Sequence, residues 1–176
     1  MLTRTDIEHY FLAEKTGGLV FLIVGSLCVA ASLVFFLLLK TSFFKGASLP
    51  LLLGGLLFCI VGYTVFERSD RDRIALVYAF DMNPDQLKNS ELPRMEKVMK
   101  RFRVYRYTAI GLFLLGLSLF VYCRRVVSFP VWSGVGAALV IVALATLILD
   151  GFAQNRGKAY YEKLSAFCAG IRKPGE

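Results

Sequence analysis

The chain has 176 residues, 56% of them apolar, and carries 21 Lys and Arg against 13 Asp and Glu for a formal net charge of +8. An ordinary soluble domain is excluded, because all charge is confined between four runs (16–39, 46–66, 107–123 and 126–149) that contain no Lys, Arg, Asp or Glu. A nucleic-acid binder is excluded too: half of the positive excess lies in two short loops without a carboxylate, leaving 17 basic residues against 13 acidic ones elsewhere.

A bilayer core of roughly 30 Å needs about 20 apolar residues in a helix rising about 1.5 Å per residue, and each uncharged run is close to that length. The expected fold is an all-α membrane protein. Its four-helix transmembrane bundle is made of two hairpins flanked by cytoplasmic amphipathic helices.

In chain order, the N-terminal segment 1–16 holds Thr5 and Glu8, which read as a capping box ahead of Tyr10, Phe11 and Leu12. The first span covers 17–39. Its apolar run is too long for a signal-peptide core of about 7–15 residues and continues past the small residues Ala30 and Ala31, so an uncleaved span is expected. A short outer loop, 40–46, leads to the second span, 47–66, which Pro50 opens.

The middle segment, 67–106, has two arms. From Glu67 to Leu87 it is net acidic, with Asn83, Pro84, Asp85 and Gln86 in order as a helix start. From Pro93 onward Met95, Val98, Met99, Phe102 and Tyr105 recur at spacings of three and four, and Arg94, Lys97, Lys100, Arg101, Arg103 and Arg106 fill the other positions. This basic amphipathic helix is expected to run straight into the third span, 107–123, and the acidic arm to fold back against it. A second outer loop, 124–128, a fourth span, 129–149, and a tail, 150–176, complete a single membrane domain.

Cytoplasmic segments carry the excess of Lys and Arg. The two ends and the middle segment together hold 17, and the two short loops hold 4, so both termini are expected on the cytoplasmic side. A faint repeat relates the halves 1–83 and 84–176: Glu67, Arg73 and Tyr78 match Asp150, Arg156 and Tyr161 at an offset of 83.

Three surfaces are candidates for function. Arg94, Lys97, Lys100, Arg101 and Arg103 suit anionic lipid headgroups, since clustered cations beside a span gain about 1 kcal/mol each at a negative leaflet. On the outer side Lys40, Lys45, Arg124 and Arg125 run against the orientation rule and stand beside the aromatic residues Phe43, Phe44, Phe129 and Trp132, a surface suited to an acidic or membrane-inserted partner. Small residues stripe the spans at helical spacing (Ser26 and Ala30; Gly55, Cys59 and Gly62; Ser133 and Ala137; Gly134 and Ala138), which permits close helix packing within the bundle or in a homo-oligomer.

No enzyme is expected. His9 is the one histidine, no catalytic, cofactor or metal spacing is present, and the four cysteines (Cys28, Cys59, Cys123 and Cys168) lack a metal or redox pattern, with Cys168 expected as a free thiol in the tail. Asp150-Gly151 resembles the opening of lipid-headgroup transferases that use cytidine-diphosphate alcohols, but Gln154-Asn155 departs from the motif at once, and Glu67 and Asp150 read better as salt-bridge partners near Arg68 and Arg156. The spans hold no ionisable acid or base, which argues against a pump or coupled transporter.

In architecture, though in no diagnostic motif, the chain resembles bacterial inner-membrane immunity proteins that protect against pore-forming colicins and, by extension, membrane-targeting effectors of type VI secretion. The resemblance implies a bacterial inner-membrane location and binding of a cognate toxin in or beside the bilayer, with Lys40, Phe43, Phe44, Lys45, Arg124, Arg125 and Trp132 as contacts. Two other readings stay open: an accessory or regulatory membrane subunit acting through its cytoplasmic loop and tail, and a small channel.

Overall fold

The computed structural model describes residues 2–125 and 129–170, so residues 126–128 of the second outer loop and 171–176 of the tail lie outside it. The chain is all-helical among these residues. Helix α1 (Arg4–Val34) ends in a π-helical turn, Phe35–Leu39; α2 spans Ser42–Met82; a short α3, Pro84–Gln86, and a second π turn, Leu87–Glu91, lead into α4 (Leu92–Arg125); and α5 spans Pro130–Gly170. Four stretches, Arg4–Leu39, Ser42–Met82, Pro84–Arg125 and Pro130–Gly170, are each long and apolar enough to cross a membrane. At about 1.5 Å per residue a 41-residue helix such as α2 or α5 is about 60 Å long, twice the hydrocarbon thickness, so each projects well beyond a bilayer.

The helix boundaries shift three local expectations. Thr3, not Thr5, caps α1: Thr3 Oγ1 accepts from the Asp6 N–H at 3.2 Å, and the Thr3 N–H donates to Asp6 Oδ2 at 2.9 Å. Leu2, in front of the cap, is buried, which fixes the earlier start. Asn83 holds the cap position before Pro84, as its sequence suggests, but its side chain makes no capping bond. Between α1 and α2 the chain reverses within Lys40 and Thr41, and Ser42–Gly46 already belongs to α2. Lys40 makes the reversal at φ 46°, the one positive-φ residue other than glycine among those described.

Helix α1 lies along α2, α4 lies along α5, and α2 and α5 pack on each other to join the pairs. The seams are lined by small residues. In the first pair Gly25 sits against the backbone of Gly55, and Gly18 against that of Gly62; in the second, Gly116 sits against Gly136. Between the pairs, a β-carbon on Gly46 would lie 1.9 Å from the Val131 carbonyl oxygen, and one on Gly134 1.9 Å from that of Phe43. Without a hydrophobic force between helices in lipid, such close backbone approach supplies the packing energy. The stripes at Gly55, Gly62, Gly134 and Ala138 are thus taken up inside the chain, whereas Ser26 and Ala30 remain exposed.

The two halves repeat with an offset of 88 residues, not 83. Arg4 and Leu92, Ser42 and Pro130, and Met82 and Gly170, which begin or end the long helices, all stand 88 apart. So do the buried pairs Ile7 and Met95, Gly46 and Gly134, and Leu76 and Leu164. The same shift carries the Phe43–Gly134 contact onto the mirror contact between Val131 and Gly46, and it relates Gly54 to Val142, which touch. The arrangement is a local pseudo-two-fold.

Candidate functional site

At one end of the bundle the beginning of α1, the second half of α2, the segment Leu87–Glu91, the first half of α4 and the second half of α5 close on one core. Ile7, Phe11, Leu76, Leu87, Met95, Tyr160, Leu164 and Cys168 are buried there. Each large apolar side chain fully buried contributes about 1.5–3 kcal/mol. Cys168, expected as an accessible thiol, is part of this core at 2% exposure, and burial pushes its thiol up, against a lowering influence from Lys88. The Tyr10 and Tyr160 rings stack at 4.2 Å with an 8° tilt, bringing α1 onto α5. Burial raises both phenols well above their usual range.

Charge is threaded through this core. Glu91 is only 3% exposed, and its carboxylate accepts from Arg94 Nε at 2.6 Å and Nη2 at 2.7 Å, a bidentate pair. Burial works against the Arg94 charge, but the Glu91 bonds outweigh it and hold the guanidinium above its ordinary value. Arg68 Nη2 donates to Glu14 Oε1 at 3.0 Å, while Glu14 Oε2 is buried without a partner; burial raises this carboxyl and Arg68 opposes the rise. Arg68 Nε also stands 3.2 Å from Asp72 Oδ2, but it is off line for a hydrogen bond, so Coulomb attraction is the better description. Lys15 pairs with Asp70, Arg4 with Asp81 at 3.8 Å, and Lys163 with Asp6 at 2.7 Å.

These pairs correct two expectations. The acidic arm of 67–87 takes its interhelical partners from α1, through Lys15 and Arg4, and no ion pair joins it to the basic residues of 94–106 among the described residues. Nor do Glu67 and Asp150 form ion pairs among those residues: Arg68 goes to Glu14 and Asp72, and Asp150 is left with burial raising its carboxyl.

Between the four helices, beside this core, lies a cavity of 270 Å³. Arg68, Arg94, Arg101 and Arg156 line it with the carboxylates of Glu14 and Asp150, and Phe21, Val65 and Phe102 are among its apolar walls. Arg94, Val98, Arg101 and Tyr105 reach it from one face of α4 because they recur at helical spacing. The headgroup set is therefore split. Arg94 and Arg101 line the cavity, Arg101 while also exposed; Lys97 and Lys100 are exposed away from it, with Lys100 held 2.9 Å from Glu96; and Arg103 lines a separate hollow against α5. Glu14, Glu91 and Arg68 escaped the sequence reading as a site, since they converge from three separate elements.

At the opposite end the start of α2, the end of α4 and the start of α5 come together: Phe43 and Arg124 line the same hollow, with Cys123, Pro130 and Ser133. Lys40, Lys45, Arg124 and Arg125 are exposed, and none has a carboxylate partner among the described residues. Arg124 lies over the Phe120 ring at 5.7 Å. The aromatics divide: Phe129 and Trp132 are exposed, but Phe43 and Phe44 are half-buried, Phe44 resting on Phe35 at 4.9 Å and Phe43 edge-on to Phe44 at 5.5 Å.

Among the described residues no three His, Cys, Asp or Glu stand together to hold a metal. Fold and composition define a multi-pass membrane protein. Comparison of the chain with protein-family models, curated proteins and solved structures gives no match.

Proposed function

We propose that this is a non-enzymatic bacterial inner-membrane protein, an immunity protein that binds a membrane-targeting or pore-forming toxin and blocks its insertion or opening. In this reading the four spans form two hairpins, the end bearing Tyr10 and Tyr160 is cytoplasmic with both termini, and the end bearing Lys40 and Arg124 faces out. The observation that carries it is that the helix ends beside the two short loops share one hollow lined by Phe43 and Arg124, near four exposed cations that have no carboxylate partner among the described residues. Such a surface steers an acidic toxin segment and offers Phe129 and Trp132 to an apolar hairpin. The test is survival of cells challenged with a cognate membrane-depolarising toxin. Replacing Lys40, Lys45, Arg124 and Arg125 by Gln abolishes protection on this reading, and unchanged protection overturns it.

A second reading, an accessory or regulatory subunit acting through the cytoplasmic end, is favoured by the pairs Glu14–Arg68 and Asp6–Lys163, which tie α1 to α2 and to α5 at that end. It predicts that loss of Lys97, Lys100 and Arg103 impairs function while the outer variants do not. The exposed Ser26 and Ala30 stripe is the face through which a homo-oligomer would form on either reading.

A further inference from the structure

The cavity between the four helices has no task in either reading, and its chemistry is specific. Four guanidinium groups face it against two carboxylates. Arg68 and Arg94 are committed to Glu14 and Glu91, but Arg101 and Arg156 have no carboxylate partner among the described residues. The Arg156 guanidinium lies over Gly17, where a side chain would displace it: a β-carbon there would meet Arg156 Nη2 at 2.4 Å. Two planar forks reaching the cavity from α4 and α5 suit an oxyanion that accepts several parallel hydrogen bonds, as a phosphate does. Most of the rest of the lining is apolar, and two wall residues, Val61 and Tyr105, are also exposed, so the wall continues onto the outer surface of the helices. A volume of 270 Å³ lies just below the range of about 300–1,000 Å³ for small-molecule sites, suited to a headgroup whose chains stay outside.

We propose that this cavity is a binding site for the phosphate of an anionic phospholipid, with Arg101 and Arg156 as its ligands and the acyl chains leaving past Val61 and Tyr105. An immunity protein and a regulatory subunit would carry it alike, so its failure leaves both readings standing.

The experiment measures binding of short-chain phosphatidylglycerol, short-chain phosphatidylcholine and inorganic phosphate to the purified full chain in detergent. It compares wild type with Arg101→Gln/Arg156→Gln and with Lys97→Gln/Lys100→Gln, which removes the same charge from positions of α4 that do not line the cavity. Wild type is expected to prefer phosphatidylglycerol. The cavity double variant should bind it about 30-fold more weakly and the surface double variant within about threefold of wild type, at roughly one decade per 1.4 kcal/mol. Equal weakening in both double variants, or no preference over phosphatidylcholine, overturns the site. Inorganic phosphate bound as tightly as phosphatidylglycerol overturns the lipid assignment in favour of a free phosphate. Thermal unfolding of each variant confirms that the bundle is intact, since neither cavity arginine pairs with a carboxylate of the fold among the described residues.

Discussion

Gly46 and Gly134 stand at equivalent places in the crossing of α2 and α5, each so close to the other helix that a β-carbon would lie 1.9 Å from a backbone carbonyl oxygen. The 88-residue spacing between them is also the spacing of the helix boundaries, so one contact seen twice joins the halves. Each of Gly46→Ala and Gly134→Ala should therefore cost about 1–3 kcal/mol, the usual penalty of overpacking against an unyielding neighbour. Gly151, with nothing within 4 Å of its would-be β-carbon, is the control: Gly151→Ala should be neutral or stabilising by about 0.5–1 kcal/mol through helix propensity. Thermal unfolding in detergent distinguishes the two classes.

The Glu91–Arg94 pair should be a stability determinant of the core around Tyr160. Glu91→Gln leaves a half-buried guanidinium without its counter-charge, and a loss of about 2 kcal/mol is expected, below the roughly 3–5 kcal/mol of a fully buried pair because Arg94 keeps 30% exposure. Cys168 reports locally. With Cys28, Cys59 and Cys123 replaced by Ala, thiol labelling of the native protein should be slow, and Glu91→Gln should speed it about tenfold or more; an unchanged rate would show that the pair does not hold this core shut.

Asp6 makes the end of α1 acid-sensitive. The bonds from Lys163 and Thr3 pull its carboxyl down from 3.8 to about 2. A group depressed in the folded state stabilises fully above its unfolded value and loses that contribution as pH falls toward the folded one, so the loss lies between about pH 4 and pH 2. Amide exchange in the first turn of α1 should accelerate across that window in the wild type. In Asp6→Asn it should already be fast at pH 5.

Asp150 predicts the opposite sign. Burial raises its carboxyl, so the ionised form is a cost at neutral pH that disappears on protonation. Asp150→Asn should raise the unfolding temperature at pH 7, and the gain should vanish in acid.

Four long apolar helices were legible in the sequence because absence of charge over about 20 residues is a local property, and so was the apolar face of α4, where Met95 and Met99 do turn inward. What stayed hidden depends on tertiary contacts. The offset of 83 was drawn from matched residue types such as Glu67 with Asp150, whereas the true register of 88 matches burial between unlike residues such as Ile7 with Met95. Thr3–Asp6 and Thr5–Glu8 are both possible caps, and the choice falls to the burial of Leu2. Glu14, Arg68 and Arg156 come from three helices and meet only when all four close round the cavity.

Every functional reading rests on which end of the bundle faces out. In a variant with its four cysteines replaced by Ala, single cysteines at Thr41 and Phe129 are compared with ones at Asp85 and Gly170, using a membrane-impermeant maleimide on intact cells whose outer barrier has been opened. Thr41→Cys and Phe129→Cys should label at once, and Asp85→Cys and Gly170→Cys only after the inner membrane is permeabilised. Labelling of Asp85→Cys or Gly170→Cys in sealed cells would contradict the account.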